Sequence, residues 1–185
     1  LFSSKLEENA GRLSATLNNL LFWSLQQMKG LKINKEPLPV YETINHVASH
    51  YTELIQVKNI TIHNEVPATD SFVTDKEAFQ VIIRNLLSNA VKFTENNSIT
   101  FSATHTPHAY IISVIDKGTG MDEAQIEKLF YFNDKKSGAG TRGESGSGLG
   151  LVVVNKMAAA LNGNVDIKSK PGEGTAISIT FRKTT

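Results

Sequence analysis

The sequence of 185 residues contains no cysteine, so disulfides, thiolate nucleophiles and cysteine-based zinc sites are all excluded. No apolar run approaches the roughly 20 residues that a membrane-spanning helix needs. No signal peptide is recognisable at the start. The chain begins with Leu1 and not with methionine, so we expect it to be a piece of a longer protein. That parent can carry segments that this sequence does not show.

Neither sign of charge is in excess, since 19 lysines and arginines stand against 18 acidic residues and give a net charge of +1. Proteins that bind nucleic acid or a membrane surface normally carry a strong basic excess. We therefore expect no nucleic-acid partner and no direct membrane contact. Hydrophobic residues make up 40% and charged residues 20% of the chain, which is the balance of an ordinary folded domain.

The first 31 residues contain no proline and predict one long N-terminal helix. Apolar residues recur in alternating steps of three and four at Ala10, Leu13, Leu17 and Leu20. Such a helix needs a partner for its apolar stripe, either the rest of this chain or a second copy in a dimeric bundle, which we favour. The proline-containing segment 35–39 then predicts a linker, with domains at 1–33 and 34–185.

The second domain shows the pattern of an α+β fold. Helices are predicted at 41–57, 74–94, 122–130 and 148–162, and strands at 59–66, 98–104, 109–115, 164–170 and 175–182. We expect a two-layer sandwich, in which about three helices cover one face of a mixed, mostly antiparallel sheet of about five strands. Residues 131–146 show no periodicity and predict a mobile loop.

A first cluster of polar residues lies on the predicted 74–94 helix. Asn85, Asn89 and Lys92 fall within an arc of about 60° at helical periodicity, and Phe93 lies on the neighbouring core face. Asparagine is a poor helix former, so two in register need a reason. Amide oxygens suit Mg²⁺, and a lysine one turn further on can reach a phosphate. The alternative is an ordinary solvated helix face.

A second cluster follows the predicted strand 109–115. Asp116 stands at the strand end, and Gly118 and Gly120 come directly after it. A carboxylate there can accept a hydrogen bond from an amino group, while the glycines let the backbone approach a flat ring. The alternative is a plain turn between a strand and a helix.

Glycines are concentrated before the predicted 148–162 helix. Six of the thirteen glycines in the chain lie between Gly138 and Gly150, with Lys135 and Lys136 just before them and Arg142 among them. Free N–H groups at a helix N-terminus cradle phosphate. No Gly-Lys-Ser/Thr follows, so this is not a P-loop, and its glycine spacing does not fit a dinucleotide fingerprint. A flexible surface loop is the alternative here, and a plain hairpin is the alternative for the fourth cluster, Gly172-Glu173-Gly174-Thr175.

In this order the four clusters resemble the N, G1, G2 and G3 boxes of a known ATPase fold, over about residues 35–183. The fold is shared by histidine kinases, Hsp90 chaperones, type II topoisomerases and mismatch-repair ATPases. The runs Asn85-Leu86-Leu87-Ser88-Asn89-Ala90-Val91-Lys92-Phe93 and Gly146-Ser147-Gly148-Leu149-Gly150-Leu151 resemble sensor histidine kinases in particular. Leu129-Phe130-Tyr131-Phe132 stands where that family has its F box, without the usual proline and spaced second aromatic.

The resemblance implies ATP and Mg²⁺ as cofactors. Asn89, with Asn85, would hold Mg²⁺, and Lys92 would contact the phosphates, so Asn89 and Lys92 are the catalytic candidates. Asp116 would accept from the adenine amino group, and residues 133–147 would form a lid. The full implied nucleotide-binding set is Asn85, Asn89, Lys92, Phe93, Asp116, Gly118, Gly120, Arg142, Gly146, Ser147, Gly148, Leu149, Gly150 and Thr175.

The resemblance also implies what surrounds this chain in its parent. The N-terminal helix resembles the second helix of the dimerisation and phosphotransfer domain, which implies a homodimer. The phosphoacceptor motif Ser-His-Asp/Glu-Leu-Arg is absent, and none of the five histidines is assigned that role. The phosphoryl group would pass on to an aspartate of a response-regulator receiver domain. We expect a cytoplasmic location, with a parent that can be anchored in the inner membrane.

Two other functions remain as the main alternatives, beside a serine-directed relative of the same fold. One is a nucleotide-binding interaction module without kinase activity, which the unusual F box favours. The other is an ATP-hydrolysing relative of the chaperones or topoisomerases, which would need a glutamate on the N-box helix to activate water. Glu77 and Glu95 are the nearest, and both lie outside the expected stretch.

Overall fold

The computed structural model describes residues 32–129, 140–144 and 148–183. Over these residues the chain forms β1 (Lys35–Pro39), α1 (Val40–Ser49), α2 (Thr52–Val57), β2 (Thr61–Asn64), β3 (Ser71–Asp75), α3 (Lys76–Phe93), β4 (Ser98–His105), β5 (Ala109–Asp116), α4 (Glu123–Lys128), α5 (Gly150–Ala160), β6 (Gly163–Lys170) and β7 (Gly174–Arg182). The helix predicted over residues 1–31 and most of the predicted 131–146 loop lie outside the described residues.

One sheet of five strands forms the centre of the domain, in the order β2-β4-β5-β7-β6. The β2–β4 pair is parallel, and the β4–β5, β5–β7 and β6–β7 pairs are antiparallel. The sequence-based prediction of an α+β fold with a mixed sheet of about five strands is therefore confirmed.

The sheet buries one of its faces under helices. Every second residue of β5 is buried, beginning with Tyr110 and ending with Asp116. The apolar members of that set lie in one core cluster with buried residues of β4, β7, α1, α3 and α5. Alternation with a period of two therefore selects the face of the sheet that packs against the helices.

The long helix α3 packs in this core with one side and keeps the other near the surface. Asp75 caps its start by accepting a hydrogen bond from the Ala78 N–H at 2.9 Å. The buried side consists of Ala78, Phe79, Ile82, Ile83, Leu86, Leu87, Ala90 and Val91. Asn85, Asn89 and Lys92 are half-buried, so they lie along the border of the core.

The predicted linker at 35–39 is wrong, because these residues form strand β1. It pairs antiparallel with β3, a strand that the sequence analysis missed, in a separate two-stranded sheet. Pro37 and Pro39 led to the prediction of a linker, because proline donates no backbone hydrogen bond and is tolerated in a strand only at the edge of a sheet. Leu38 between them is buried and anchors the ribbon to the core.

The predicted helix at 41–57 is also corrected, because it is divided into α1 and α2. The break at His50 and Tyr51 contains no glycine or proline, so the local sequence does not predict it. The strand predicted at 59–66 shrinks to β2, since Asn59 turns in the left-handed region at φ 51°. The other predicted helices and strands agree with the structure to within two residues where they are described. Of the described helices, none combines the length and the hydropathy needed to cross a membrane.

Candidate nucleotide-binding site

The amides of Asn85 and Asn89 face the first residue of α5. A β-carbon placed on Gly150 would lie 3.3 Å from Asn85 Oδ1, and 3.5 and 3.6 Å from Asn89 Nδ2 and Oδ1. The Asn85 amide nitrogen donates to the Val81 carbonyl at 2.8 Å, which fixes the direction of its oxygen. Two motifs separated by some sixty residues of sequence therefore meet at one point, where a helix begins.

The chemistry of this amide pair fits Mg²⁺ held together with a phosphate. Both side chains offer neutral oxygen, which is the donor type that Mg²⁺ prefers, and rotation of the Asn89 amide brings its oxygen to the position of its nitrogen. Among the described residues, no group of three or more histidines, aspartates or glutamates could hold a metal. Asn85 and Asn89 are the residues that would hold the ion, and phosphate oxygens and water would supply its other ligands.

Lys92 lies one turn beyond Asn89, in the last turn of α3. Its Nζ is 4.8 Å from the centroid of the Phe93 ring, and Phe93 itself is half-buried. Burial lowers the pKa of the Lys92 ammonium, the nearby Glu144 carboxylate raises this pKa, and Lys58 lowers it. The side chain is thus a partly desolvated cation on the same helix edge as the asparagines.

Asp116 ends β5 as a buried carboxylate that is 8% exposed. Its Oδ1 accepts from the Gly118 N–H at 2.9 Å, and the Thr175 N–H on the neighbouring strand also donates to the carboxylate. Burial raises the pKa of Asp116 to about 6, and these two hydrogen bonds act in the opposite direction. The remaining lone pairs can accept from an amino group of a ligand.

The turn after Asp116 is held tightly against two other elements. A β-carbon on Gly118 would lie 2.3 Å from the Phe93 carbonyl oxygen. One on Gly120, which has φ of 64°, would lie 1.9 Å from the Lys170 carbonyl oxygen. Only glycine fits these positions, because the first is in backbone contact and the second also has a left-handed conformation. The Thr119 N–H donates to the Phe93 carbonyl at 3.1 Å and completes the attachment to α3.

Ser169, which no sequence motif indicated, joins the fourth cluster to this turn. Its Oγ lies 2.9 Å from Thr175 Oγ1, donates to the Gly174 carbonyl and accepts from the Met121 N–H at 2.8 Å. Thr175 therefore has its hydroxyl tied to β6 and its backbone tied to Asp116. A serine in an alternating strand gives no sequence signal of this role.

Residues 140–144 are attached to the C-terminal end of α3. The Thr141 N–H donates to the Lys92 carbonyl at 3.1 Å, and the Arg142 side chain pairs with Glu95 at 2.7 Å. Glu144 pairs with the fully buried Lys58 at 2.5 Å. Arg142 was a predicted nucleotide ligand, and the structure places it beyond the end of the helix with a carboxylate partner. Lys58 and Glu144 were missed, because charged residues at a helix end and in a glycine-rich loop look like surface residues.

The remaining predicted ligands lie at or before the start of α5. Gly148 is exposed with φ of 70°, and Leu149 is buried beneath the first turn. Gly146 and Ser147 lie outside the described residues. The structure thus brings two groups of predicted residues to α3. Asn85 and Asn89 meet Gly150 along the helix, and the turn that contains Asp116, Gly118 and Gly120, with Thr175 beside it, contacts the helix at its C-terminal end.

The glutamates considered as a general base do not reach this site. Glu77 is exposed in the first turn of α3, and Glu95 follows the helix and pairs with Arg142. Between Glu77 and Glu95 the chain contains no glutamate or aspartate. Activation of water by a carboxylate on this helix is therefore not supported.

Residues 74–185 match the model of a protein family described as histidine kinase-, DNA gyrase B- and HSP90-like ATPases. The chain belongs to this family of ATPases. The matched segment contains α3, the Asp116 turn and the start of α5, so it includes all four clusters. The family resemblance drawn from the sequence is confirmed.

Curated relatives narrow the place of the chain within the family. The autoinducer 2 sensor kinase/phosphatase LuxQ of Vibrio vulnificus is 31% identical over 182 residues, covering 94% of this chain and 21% of the relative. The signal transduction histidine-protein kinase BarA of Escherichia coli is 28% identical, covering 92% of this chain and 19% of the relative. Within this family, the chain corresponds to the ATP-binding catalytic domain of two-component sensor histidine kinases. It spans about a fifth of the length of these relatives.

Solved structures show the same fold. The histidine kinase AdeS of Acinetobacter baumannii matches 98% of this chain and 84% of its own chain, with a TM-score of 0.76 and 18% identity. Full-length ShkA in complex with AMPPNP matches 98% of this chain and 38% of its own, with a TM-score of 0.77 and 24% identity.

Proposed function

We propose that this ATPase-family domain transfers the γ-phosphoryl group of Mg·ATP to a histidine of its parent kinase. The phosphoryl group then passes to an aspartate of a response-regulator receiver domain. The observation that carries the proposal is the convergence of Asn85 and Asn89 on Gly150, at one end of a helix edge whose other end contacts the turn after Asp116. Such an arrangement provides separate places for the phosphates and for the base of one nucleotide.

The phosphate end would work by positioning and by neutralising charge. Asn85 and Asn89 would hold Mg²⁺, which would offset the charge of the phosphates when bound. Lys92, one turn further, adds a positive charge at a fixed distance along the helix. The N–H groups at the start of α5 add dipoles that favour an anion. We therefore assign the catalytic roles to Asn89 and Lys92.

The base end would recognise adenine through Asp116. The carboxylate is buried and fixed by two backbone N–H groups, so it presents a directed acceptor to an exocyclic amino group. Thr175 lies beside it across the strand pair. Gly118 and Gly120 do not open the backbone to the base as the sequence predicted, because the space of a β-carbon is filled by the Phe93 and Lys170 carbonyls; they hold the turn after Asp116 in place. A guanine base carries a carbonyl at the corresponding position and would place two acceptors against each other. The site should therefore select adenine.

The parent protein supplies what this chain lacks. We propose that residues 1–33 belong to a dimerising helical domain whose other helix carries the phosphoacceptor histidine. None of the five histidines here stands in such a motif, so the chain alone should bind ATP without phosphorylating itself. We further propose a cytoplasmic position for the domain, in a parent that can be anchored in the inner membrane.

A nucleotide-binding interaction module without kinase activity is the second candidate. It is favoured by the departure of Leu129-Phe130-Tyr131-Phe132 from the F-box pattern, and disfavoured by the complete set of Asn85, Asn89 and Asp116. Calorimetry with Mg·ATP on the wild type, Asn89→Ala and Asp116→Ala tests the binding site that the kinase proposal requires. We expect binding in the wild type, loss of binding in Asp116→Ala, and loss of the Mg²⁺ dependence in Asn89→Ala. Absence of binding at millimolar ATP would indicate a degenerate pocket and contradict the proposal.

A further inference from the structure

Lys58 is a buried lysine that holds the end of α3. Its side chain has no exposed area, and its Nζ donates to the carbonyls of Val91 and Lys92, both at 2.8 Å. Lysine is almost never fully buried unless its charge is paired. The pairing group is the Glu144 carboxylate, whose Oε1 lies 2.5 Å from Nζ. A residue before β2 is thus bound both to the helix of the asparagines and to the segment that precedes α5.

Residues 140–144 form a closed loop around this ion pair. Glu144 Oε2 accepts from the Arg142 N–H at 2.9 Å, and the Gly140 N–H donates to the Glu144 carbonyl at 3.0 Å. A β-carbon on Gly140 would lie 2.7 Å from Lys92 Cγ and 2.9 Å from the Lys92 carbonyl oxygen. The loop therefore packs against the aliphatic part of the Lys92 side chain. The ion pair between Lys58 and Glu144 holds the loop against α3.

We propose that Lys58 and Glu144 are positioning residues, which lock residues 140–144 against the last turn of α3 and so direct Lys92 toward the nucleotide phosphates. The proposal rests on the phosphate-binding role proposed for Lys92. It assigns the two residues no contact with the nucleotide, since Lys58 is inaccessible and Glu144 faces it.

The local charges support the same role. Lys58 and Lys92 are two ammonium groups near one helix end, and Lys58 lowers the pKa of Lys92. Glu144 raises the pKa of Lys92, and the hydrogen bond from Lys58 holds the pKa of Glu144 down at about 2. Glu144 is therefore ionised at neutral pH and offsets the repulsion between the two lysines. Loss of its charge would leave Lys92 with a loosened loop beside it and an uncompensated cation behind it.

The test compares nucleotides that differ in their phosphates. Affinities for Mg·ATP, ADP and adenosine are measured by calorimetry on the wild type, Glu144→Gln, Lys58→Met and the double variant. Lys92→Met is the reference, and the exposed Glu65→Gln is the control for loss of one negative charge. We expect Glu144→Gln to bind Mg·ATP about three- to tenfold more weakly and adenosine within about twofold of the wild type, because positioning acts only where the phosphates bind.

The double variant separates positioning from stability. Removing both charges avoids an unpaired buried ion, so thermal unfolding should show it to be more stable than Glu144→Gln or Lys58→Met. Positioning predicts that its Mg·ATP affinity nevertheless stays low. Recovery of Mg·ATP affinity together with stability, an equal loss of adenosine affinity in Glu144→Gln, or no loss of Mg·ATP affinity would each overturn the inference. If the wild type does not bind Mg·ATP, or Lys92→Met binds it unchanged, the proposed function falls and this inference with it.

Discussion

At the residue scale, Asp116 shows a conflict between stability and recognition. A carboxylate that is buried to 8% exposure loses most of its hydration, and two backbone N–H groups only partly replace it. Its pKa therefore rises from 3.8 to about 6, which means that the folded chain binds a proton there more tightly than the unfolded chain does. The group is retained in an unfavourable place, as expected where a directed acceptor serves a ligand.

The first prediction is that Asp116→Asn stabilises the nucleotide-free protein near neutral pH. Because the folded pKa is raised, the stability from this group is complete below pH 3.8 and is lost as the pH rises through about 6. Asparagine cannot ionise, so the variant should gain about 1–3 kcal/mol in its free energy of unfolding at pH 7.5 and almost nothing at low pH. Urea unfolding at pH 7.5 and 4 measures the difference. A variant that is equally destabilised at both pH values would show that hydrogen bonding, and not charge burial, governs this position.

A second prediction concerns the pH dependence of base recognition. In the proposed site, ionised Asp116 would accept from the adenine amino group, so affinity for adenosine should fall as the pH drops through about 6. Adenosine is the suitable ligand because it has no phosphate that titrates in this range. Calorimetry between pH 5 and 8 should show the decline in the wild type and a weak, flat profile in Asp116→Asn. A flat profile in the wild type would exclude a charged acceptor.

At the scale of elements, the C-terminal end of α3 organises the site through three consecutive carbonyls. Those of Val91 and Lys92 accept from Lys58, the Lys92 carbonyl also accepts from the Thr141 N–H, and the Phe93 carbonyl accepts from Thr119. Carbonyls at a helix end have no partners within the helix. Here they attach the loop before α5 and the turn after β5, so one helix end fixes both sides of the site.

The third prediction tests that attachment with Gly118→Ala. The new methyl group would lie 2.3 Å from the Phe93 carbonyl oxygen, so the turn must move away from α3. We expect a loss of about 1–3 kcal/mol in unfolding free energy, and weaker adenosine binding because Asp116 loses the Gly118 N–H. Gly172→Ala is the control, since its β-carbon meets nothing within 4 Å and costs only the strain of a left-handed φ. Equal effects of the two substitutions on adenosine binding would contradict the proposed role of this contact.

The elements that sequence reasoning found and missed differ in how local their causes are. Helix α3 and strands β4 to β7 follow from periodicity, and the stop of α5 follows from Asn162, which has a left-handed φ of 59°. The β1–β3 ribbon was missed because its prolines break the local pattern and its pairing is long-range. The site residues that could be predicted belong to recognisable sequence motifs. No such motif contains Lys58, Glu144 or Ser169. Their roles arise only from contacts between distant segments of the chain.

At the scale of the whole molecule, the proposed function makes the domain a binding unit that depends on a histidine in another segment of its parent. Its sheet and helices fix where Mg²⁺, phosphates and adenine would lie, while the chain spans 21% of the LuxQ relative. Phosphoryl transfer needs little covalent work from the protein beyond positioning and charge. A domain of this kind can therefore be complete as an ATP site and still require a histidine delivered by another segment.

Transfer of a labelled γ-phosphoryl group in trans tests the proposed kinase activity. The chain is incubated with Mg²⁺, γ-labelled ATP and a separate two-helix phosphotransfer domain that carries the phosphoacceptor histidine, with Asn89→Ala and a histidine-to-glutamine acceptor as controls. We expect acid-labile label on the acceptor histidine when the wild-type chain is present. We expect no label with Asn89→Ala or with the histidine-to-glutamine acceptor. Binding of Mg·ATP without any transfer to acceptors from the parent or from close relatives would contradict the kinase proposal and leave the interaction module in its place.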